Sequence, residues 1–154
     1  MPQMQSLRLL MQREQQQRDQ AQAALRQAED AARRAGEQCE QLCAYRGEYE
    51  ARWSAQFNQG GTMDILKCYR SFMQRLDQAV AMQARQAELA AATREQARTV
   101  LLESERRVAS VRKLLERRVA EQLQAGRQRE QKHSDELAQR MRWQPSQRGG
   151  LAPH

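Results

Sequence analysis

From Gln3 to Gln144 the chain contains no proline, although it has prolines at 2, 145 and 153. A run of that length without proline is hard to reconcile with a chain of loops or short strands. Glycine is scarce as well, and the one internal doublet is Gly60-Gly61. Around it, Phe57-Asn58-Gln59-Gly60-Gly61-Thr62-Met63-Asp64 reads as a helix stop and restart. Asn58 or Gly60 can take the left-handed conformation after a helix, and Thr62 or Asp64 can cap the next one. The isolated Gly36 and Gly126 cost about 1 kcal/mol each inside a helix and do not overturn it. The expectation is all-α: a helix over 3–58, a turn over 59–62, a helix over 63–143 and a flexible tail over 144–154. At the α-helical rise those helices span roughly 80 and 120 Å, and helices that long need a partner.

Apolar residues recur every 3.5 positions along both. On the first helix the a and d positions run Met4, Leu7, Met11, Glu14, Arg18, Ala21, Leu25, Ala28, Ala32, Ala35, Cys39, Leu42, Arg46, Tyr49, Trp53 and Gln56. On the second they run Leu66, Tyr69, Met73, Leu76, Val80, Gln83, Ala87, Ala90, Arg94, Ala97, Leu101, Ser104, Val108, Val111 and Leu115. Twelve of sixteen and twelve of fifteen are apolar, which defines a coiled-coil seam. Two seams of similar length joined by a short turn predict an intramolecular antiparallel hairpin, a single elongated domain over 1–154. The phase agrees. Tyr49 with Met73, Leu42 with Val80, Leu25 with Ala97, Met11 with Val111 and Leu7 with Leu115 all have numbers that total 122, centred on the glycine doublet. The polar exceptions Arg18 and Ser104 fall in one layer by the same rule. Alanines dominate the middle of the seam, so each layer there buries less area and the middle should bend more easily. Beyond Leu115 the repeat is lost, and the last stretch of the second helix has no partner within the chain.

Composition excludes several functions. There is no run of about 18 apolar residues for a membrane span, and Met1–Met11 has no apolar block with a cleavage site. Aromatics are 5% and mean hydropathy is −0.97, too polar for a globular core of ordinary size. Cys39, Cys43 and Cys68 are three thiols in a chain with no export signal, which reads as reduced cytoplasmic cysteines. No four-ligand zinc set exists, since His133 and His154 lie far from them. There is no glycine-rich phosphate loop. His133-Ser134-Asp135 is a local run on a helix, and two helices offer no pocket in which to shift a pKa. The expectation is a protein with no enzymatic activity, no metal and no cofactor.

Two surface features remain. Six of the seven aromatics lie between Tyr45 and Phe72, at the turn end. Gln38, Leu42, Tyr45 and Tyr49 form one stripe; Phe72, Leu76, Ala79 and Gln83 form another with the same spacing. Both use d and g positions and line one side of the hairpin. They are either a widened core or an exposed docking patch. The second feature is charge. The chain is +7 with a pI near 10.0. Helix one has 8 basic and 8 acidic residues, whereas Asp64–Arg148 carries 18 and 11. Arg106, Arg107, Arg112, Lys113, Arg117 and Arg118 form the densest cluster, with Arg8, Arg13 and Arg18 opposite in register. Such a basic end is either a solvated face or a surface for an acidic protein or a nucleic acid. No aromatics interleave with it, which argues against base stacking.

These residues resemble the FliJ family, the small coiled-coil proteins of bacterial flagellar type III export. The resemblance rests on Gln38-x-x-x-Leu42-x-x-Tyr45-x-x-x-Tyr49, the glycine turn, Tyr69-x-x-Phe72-x-x-x-Leu76-x-x-Ala79, and Asp135-Glu136-Leu137-Ala138-Gln139-Arg140. It implies a cytoplasmic stalk, peripheral at the inner membrane, similar in shape to the coil of a rotary ATPase gamma subunit. Such a stalk sits in the centre of the export ATPase hexamer, links it to the export gate protein FlhA and interacts with export chaperones. Membrane contact would come only through the export apparatus, and no nucleic acid is expected as a partner. The implied gate-docking residues are Gln38, Leu42, Tyr45, Tyr49, Phe72, Leu76, Ala79 and Gln83, with Gln83 where the family pattern has histidine. Leu137 stands where an aromatic is expected. By the gamma-like analogy the end holding both termini enters the ring, through Arg8, Arg13, Arg106, Arg107, Arg112, Lys113, Arg117 and Arg118. The rivals are a virulence-type secretion stalk, a basic coiled coil on nucleic acid, and a homodimeric rod.

Overall fold

The computed structural model describes the backbone of residues 2–150 and the side-chain surroundings of residues 3–143. Two helices make up the fold, α1 over Pro2–Asn58 and α2 over Met63–Gly150. They pair as an antiparallel helical hairpin. Gln38 meets Gln83, Arg46 meets Asp77, Tyr49 meets Phe72 and Trp53 meets Tyr69, so positions fall on α2 as they rise on α1.

The turn follows from its residues. Gln59 and Gly60 donate their N–H groups to the carbonyls of Gln56 and Phe57, closing the end of α1. Gly60 has φ +108°, a conformation that a Cβ would strain. A Cβ on Gly61 would stand 3.0 Å from the Phe57 ring, so the second glycine lets that ring fold over the turn. Thr62 then caps α2: the Ile65 N–H donates to its Oγ1 at 3.4 Å, and Asp64 sits in the first turn.

The fold divides into two compact units. The first, unit 2, is residues 14–106 and contains the turn. Every a and d position that the repeat assigns in it is at least half-shielded from solvent except Gln56, whose place Phe57 takes. Ala21, Ala28, Met73 and Leu76 are buried, together with Ser104, whose hydroxyl donates to the Val100 carbonyl at 3.0 Å. A hydroxyl satisfied within its own helix can occupy a seam position without losing a hydrogen bond. Arg46, a charged exception in the seam, reaches out of it to Asp77 across the pair and to Glu50 one turn on, at 3.2 Å to the latter.

The other, unit 1, joins residues 1–13 to 107–154. Met4 and Val108 are buried there, flanked by half-shielded Leu7, Met11, Val111 and Leu115. In the hairpin register α1 supplies no residue to face α2 beyond about position 120. From Glu116 to Trp143 every described side chain is exposed apart from the glycine at 126.

The helical backbone continues to Gly150, past the expected end at 143. Pro145 lies within this stretch of helix. A proline removes one backbone donor and clashes with the preceding turn, which weakens a helix there without fixing where it ends. The first seven residues of the expected tail over 144–154 thus continue α2, and 151–154 lie outside the described residues.

Candidate functional site

In unit 2 the turn end carries a run of rings held by i, i+4 spacing on α1 and by the antiparallel pairing. Tyr45 stacks toward Tyr49 at 5.8 Å between centroids, Tyr49 meets Trp53 at 6.0 Å, and Trp53 meets Phe57 at 5.5 Å. From α2, Phe72 lies 4.3 Å from Tyr49, and Tyr69 lies 5.4 Å from both Trp53 and Phe57. Contacts of this kind contribute roughly 0.5–1.5 kcal/mol each beyond the area they bury.

Next to these rings is a shallow groove of about 340 Å³ lined by Gln38, Gln41, Leu42, Tyr45 and Gln83. The Gln83 side-chain amide donates to the Gln38 carbonyl oxygen at 3.1 Å across the helix pair. The structure thus brings Gln38, Leu42, Tyr45 and Gln83 around one groove and sets Tyr49 and Phe72 beside it through ring contacts. The stripe splits into two kinds of residue. Leu76 is buried at 7% exposure, whereas Tyr45 is 47% exposed and lines the groove. Ala79 is half-shielded. Gln41 belongs to the groove but not to the expected stripe. Its c position, one helical step out from the seam, is the signal that places it there.

Cys39 and Cys43 lie one turn apart on α1, Cys39 half-buried and Cys43 exposed. Desolvation in the seam, and then the neighbouring Cys43, push the Cys39 thiol above its ordinary pKa. This makes it a poor nucleophile. Among the described residues no group of three or more His, Cys, Asp or Glu is placed to hold a metal ion. No described helix is long and apolar enough to cross a membrane.

The basic residues sort by unit. Unit 2 has 13 basic and 14 acidic residues; unit 1 has 13 and 5. Arg8, Arg13, Arg107, Arg112, Lys113, Arg117 and Arg118 belong to unit 1, and Arg106 is the last residue of unit 2. All eight are exposed. Arg118 faces Glu121 at 3.7 Å and also borders a groove of about 400 Å³ with Gln3, Ser6, Leu7, Leu10 and Leu114. An apolar floor beside a strongly basic surface suits an acidic partner with an apolar anchor. The run Asp135–Arg140 lies on the exposed length of α2, with Leu137 45% exposed.

Two helices joined by a short turn and paired along a heptad seam define a coiled-coil hairpin. A family model described as Flagellar FliJ protein matches residues 4–147, and the chain belongs to that family. It is therefore a coiled-coil protein of flagellar type III export, associated with the export apparatus. No curated protein and no solved structure matches the chain.

Proposed function

We propose that the chain is a non-enzymatic stalk of flagellar type III export. Its basic unit enters the centre of the export ATPase hexamer, and the groove beside the rings docks on the gate protein FlhA. Export chaperones bind the same stalk, which works at the cytoplasmic face of the inner membrane. The observation that carries this reading is the sorting of charge: 13 basic against 5 acidic residues in one unit, near balance in the other. A single partner surface has no use for two such different faces. A ring lumen lined with acidic groups would hold the basic unit. A gate surface would meet the uncharged groove, where Tyr45 offers a ring and a hydroxyl at low entropic cost.

The test uses two double variants. Reversal of charge by Arg112→Glu with Lys113→Glu should lower stimulation of the cognate export ATPase at least about tenfold, with the loss deepened by added salt. Tyr45→Ala with Phe72→Ala should weaken FlhA binding by a similar factor and leave ATPase stimulation intact. Far-ultraviolet circular dichroism controls for helicity. Normal stimulation by the first and normal gate binding by the second would sink the assignment of roles.

A further inference from the structure

No charged side chain lines the groove of Gln38, Gln41, Leu42, Tyr45 and Gln83 in unit 2. Its polar groups are three primary amides and one phenol, and each carries both a donor and an acceptor. The groove of unit 1 differs, because Arg118 borders it and a guanidinium only donates. Arg46, one turn on from Leu42, is the charged seam position next to the unit 2 groove. Its guanidinium is held by Asp77 across the pair and by Glu50, so it is neutralised where it stands. Two of the amides are joined to each other. The Gln83 Nε2 donates to the Gln38 Oε1 at 3.1 Å, and neither side chain makes another hydrogen bond among the described residues. A single bond between two primary amides leaves the NH2 of the acceptor and the carbonyl of the donor without a partner. Here these are the Gln38 Nε2 and the Gln83 Oε1. Turning both amides over exchanges the two groups and keeps one of each.

We infer that this groove holds an uncharged, extended main-chain segment of the gate protein, bound through its peptide groups. The inference deepens the gate docking proposed above and rests on it. A peptide group brings one donor, one acceptor and no charge, which answers both ends of the Gln38–Gln83 pair. A carboxylate would accept from the Gln38 amide but set its charge against the Gln83 carbonyl. An ammonium or guanidinium would donate to Gln83 and set its charge against the Gln38 NH2. Either leaves a group facing the wrong partner as water is excluded, which is unfavourable. Unit 2 has no net field to offset that penalty, with 13 basic against 14 acidic residues. Main chain is favoured over a single Asn or Gln side chain because three amides line the groove. An extended chain presents a peptide group at every residue, whereas one side chain answers only one amide. Apolar side chains of the same segment would rest on Leu42 and on the ring of Tyr45, which is exposed.

Calorimetry of FlhA with the full chain tests this. The affinity should change less than about twofold between about 0.05 and about 0.5 M salt. Gln38→Glu still accepts from Gln83 but leaves only acceptors at the groove, and Gln38→Lys still donates to Gln83 but leaves only donors. Each should weaken binding at least about tenfold at unchanged helicity. Hydrogen exchange of FlhA in the complex should newly protect the amides of a segment that is unprotected in free FlhA. Tighter binding by Gln38→Glu would mean a cationic partner group, and tighter binding by Gln38→Lys an anionic one; either overturns the inference. So does an FlhA that binds with no newly protected segment. Binding that needs Tyr45 and Phe72 but ignores both Gln38 variants keeps the gate reading and overturns this one alone. A wild-type chain that does not bind FlhA overturns both together.

Discussion

Leu76 and Leu89 show how far position within a repeat outweighs residue type. Both are leucines on α2, thirteen residues apart, and one is 7% exposed while the other is 63% exposed. Leu76→Ala should cost about 2–3 kcal/mol, near the low end for buried leucines because a two-helix seam surrounds a side chain only partly. Leu89→Ala should stay within about 0.5 kcal/mol of the parent. Urea unfolding followed by circular dichroism separates them, and equal losses would mean that the seam is not where the burial lies. The sequence reads both correctly as d and c positions. It does not show that Leu76, though part of the docking stripe, faces inward while Tyr45 faces out. Stripe membership is set by spacing, but exposure within a stripe depends on how closely the opposing helix approaches, and that closeness is a property of the pair.

At the scale of elements the repeat and the turn were almost fully legible. Heptad spacing places the seam, and its one failure, Gln56, sits where Phe57 swings over Gly61 as the helix closes. The turn chemistry has separable consequences. Gly60→Ala puts a Cβ on a backbone with φ +108° and should destabilise by about 1 kcal/mol. Gly36→Ala adds a methyl group in a helix where nothing lies within 4 Å, and should stabilise by up to about 1 kcal/mol. Thermal unfolding of the two variants should therefore shift in opposite directions. A shift of the same sign in both would contradict the turn geometry. The far end of α2 was less legible, because a single proline near it lowers helix stability without fixing a boundary.

For the whole molecule, net charge read by helix assigned the +7 to α2, yet the division that matters is by unit, where α1 contributes Arg8 and Arg13 to the basic part. Sequence order could not show this, since the basic unit is built from both ends of the chain. Packing quality should vary along the hairpin in a way that hydrogen exchange can read. Amides in the aromatic stretch 45–57 and 66–76 should exchange slowest. Those in the alanine-rich stretch 21–35 and 87–101 should exchange at least about tenfold faster. Residues 123–142 should exchange fastest, because a helical segment that buries almost no side chain is marginal in water. Equal protection in the middle and at the rings would contradict the uneven seam. The turn at Gly60-Gly61 has one more consequence, for the order in which the chain can be assembled. Partners near it are close in sequence, as Trp53 and Tyr69 are, and the separation grows steadily toward the termini. The first pairings to form therefore close the smallest loops. A ribosome delivers α2 in that same order, so each newly emerged turn meets its partner on α1 already in place.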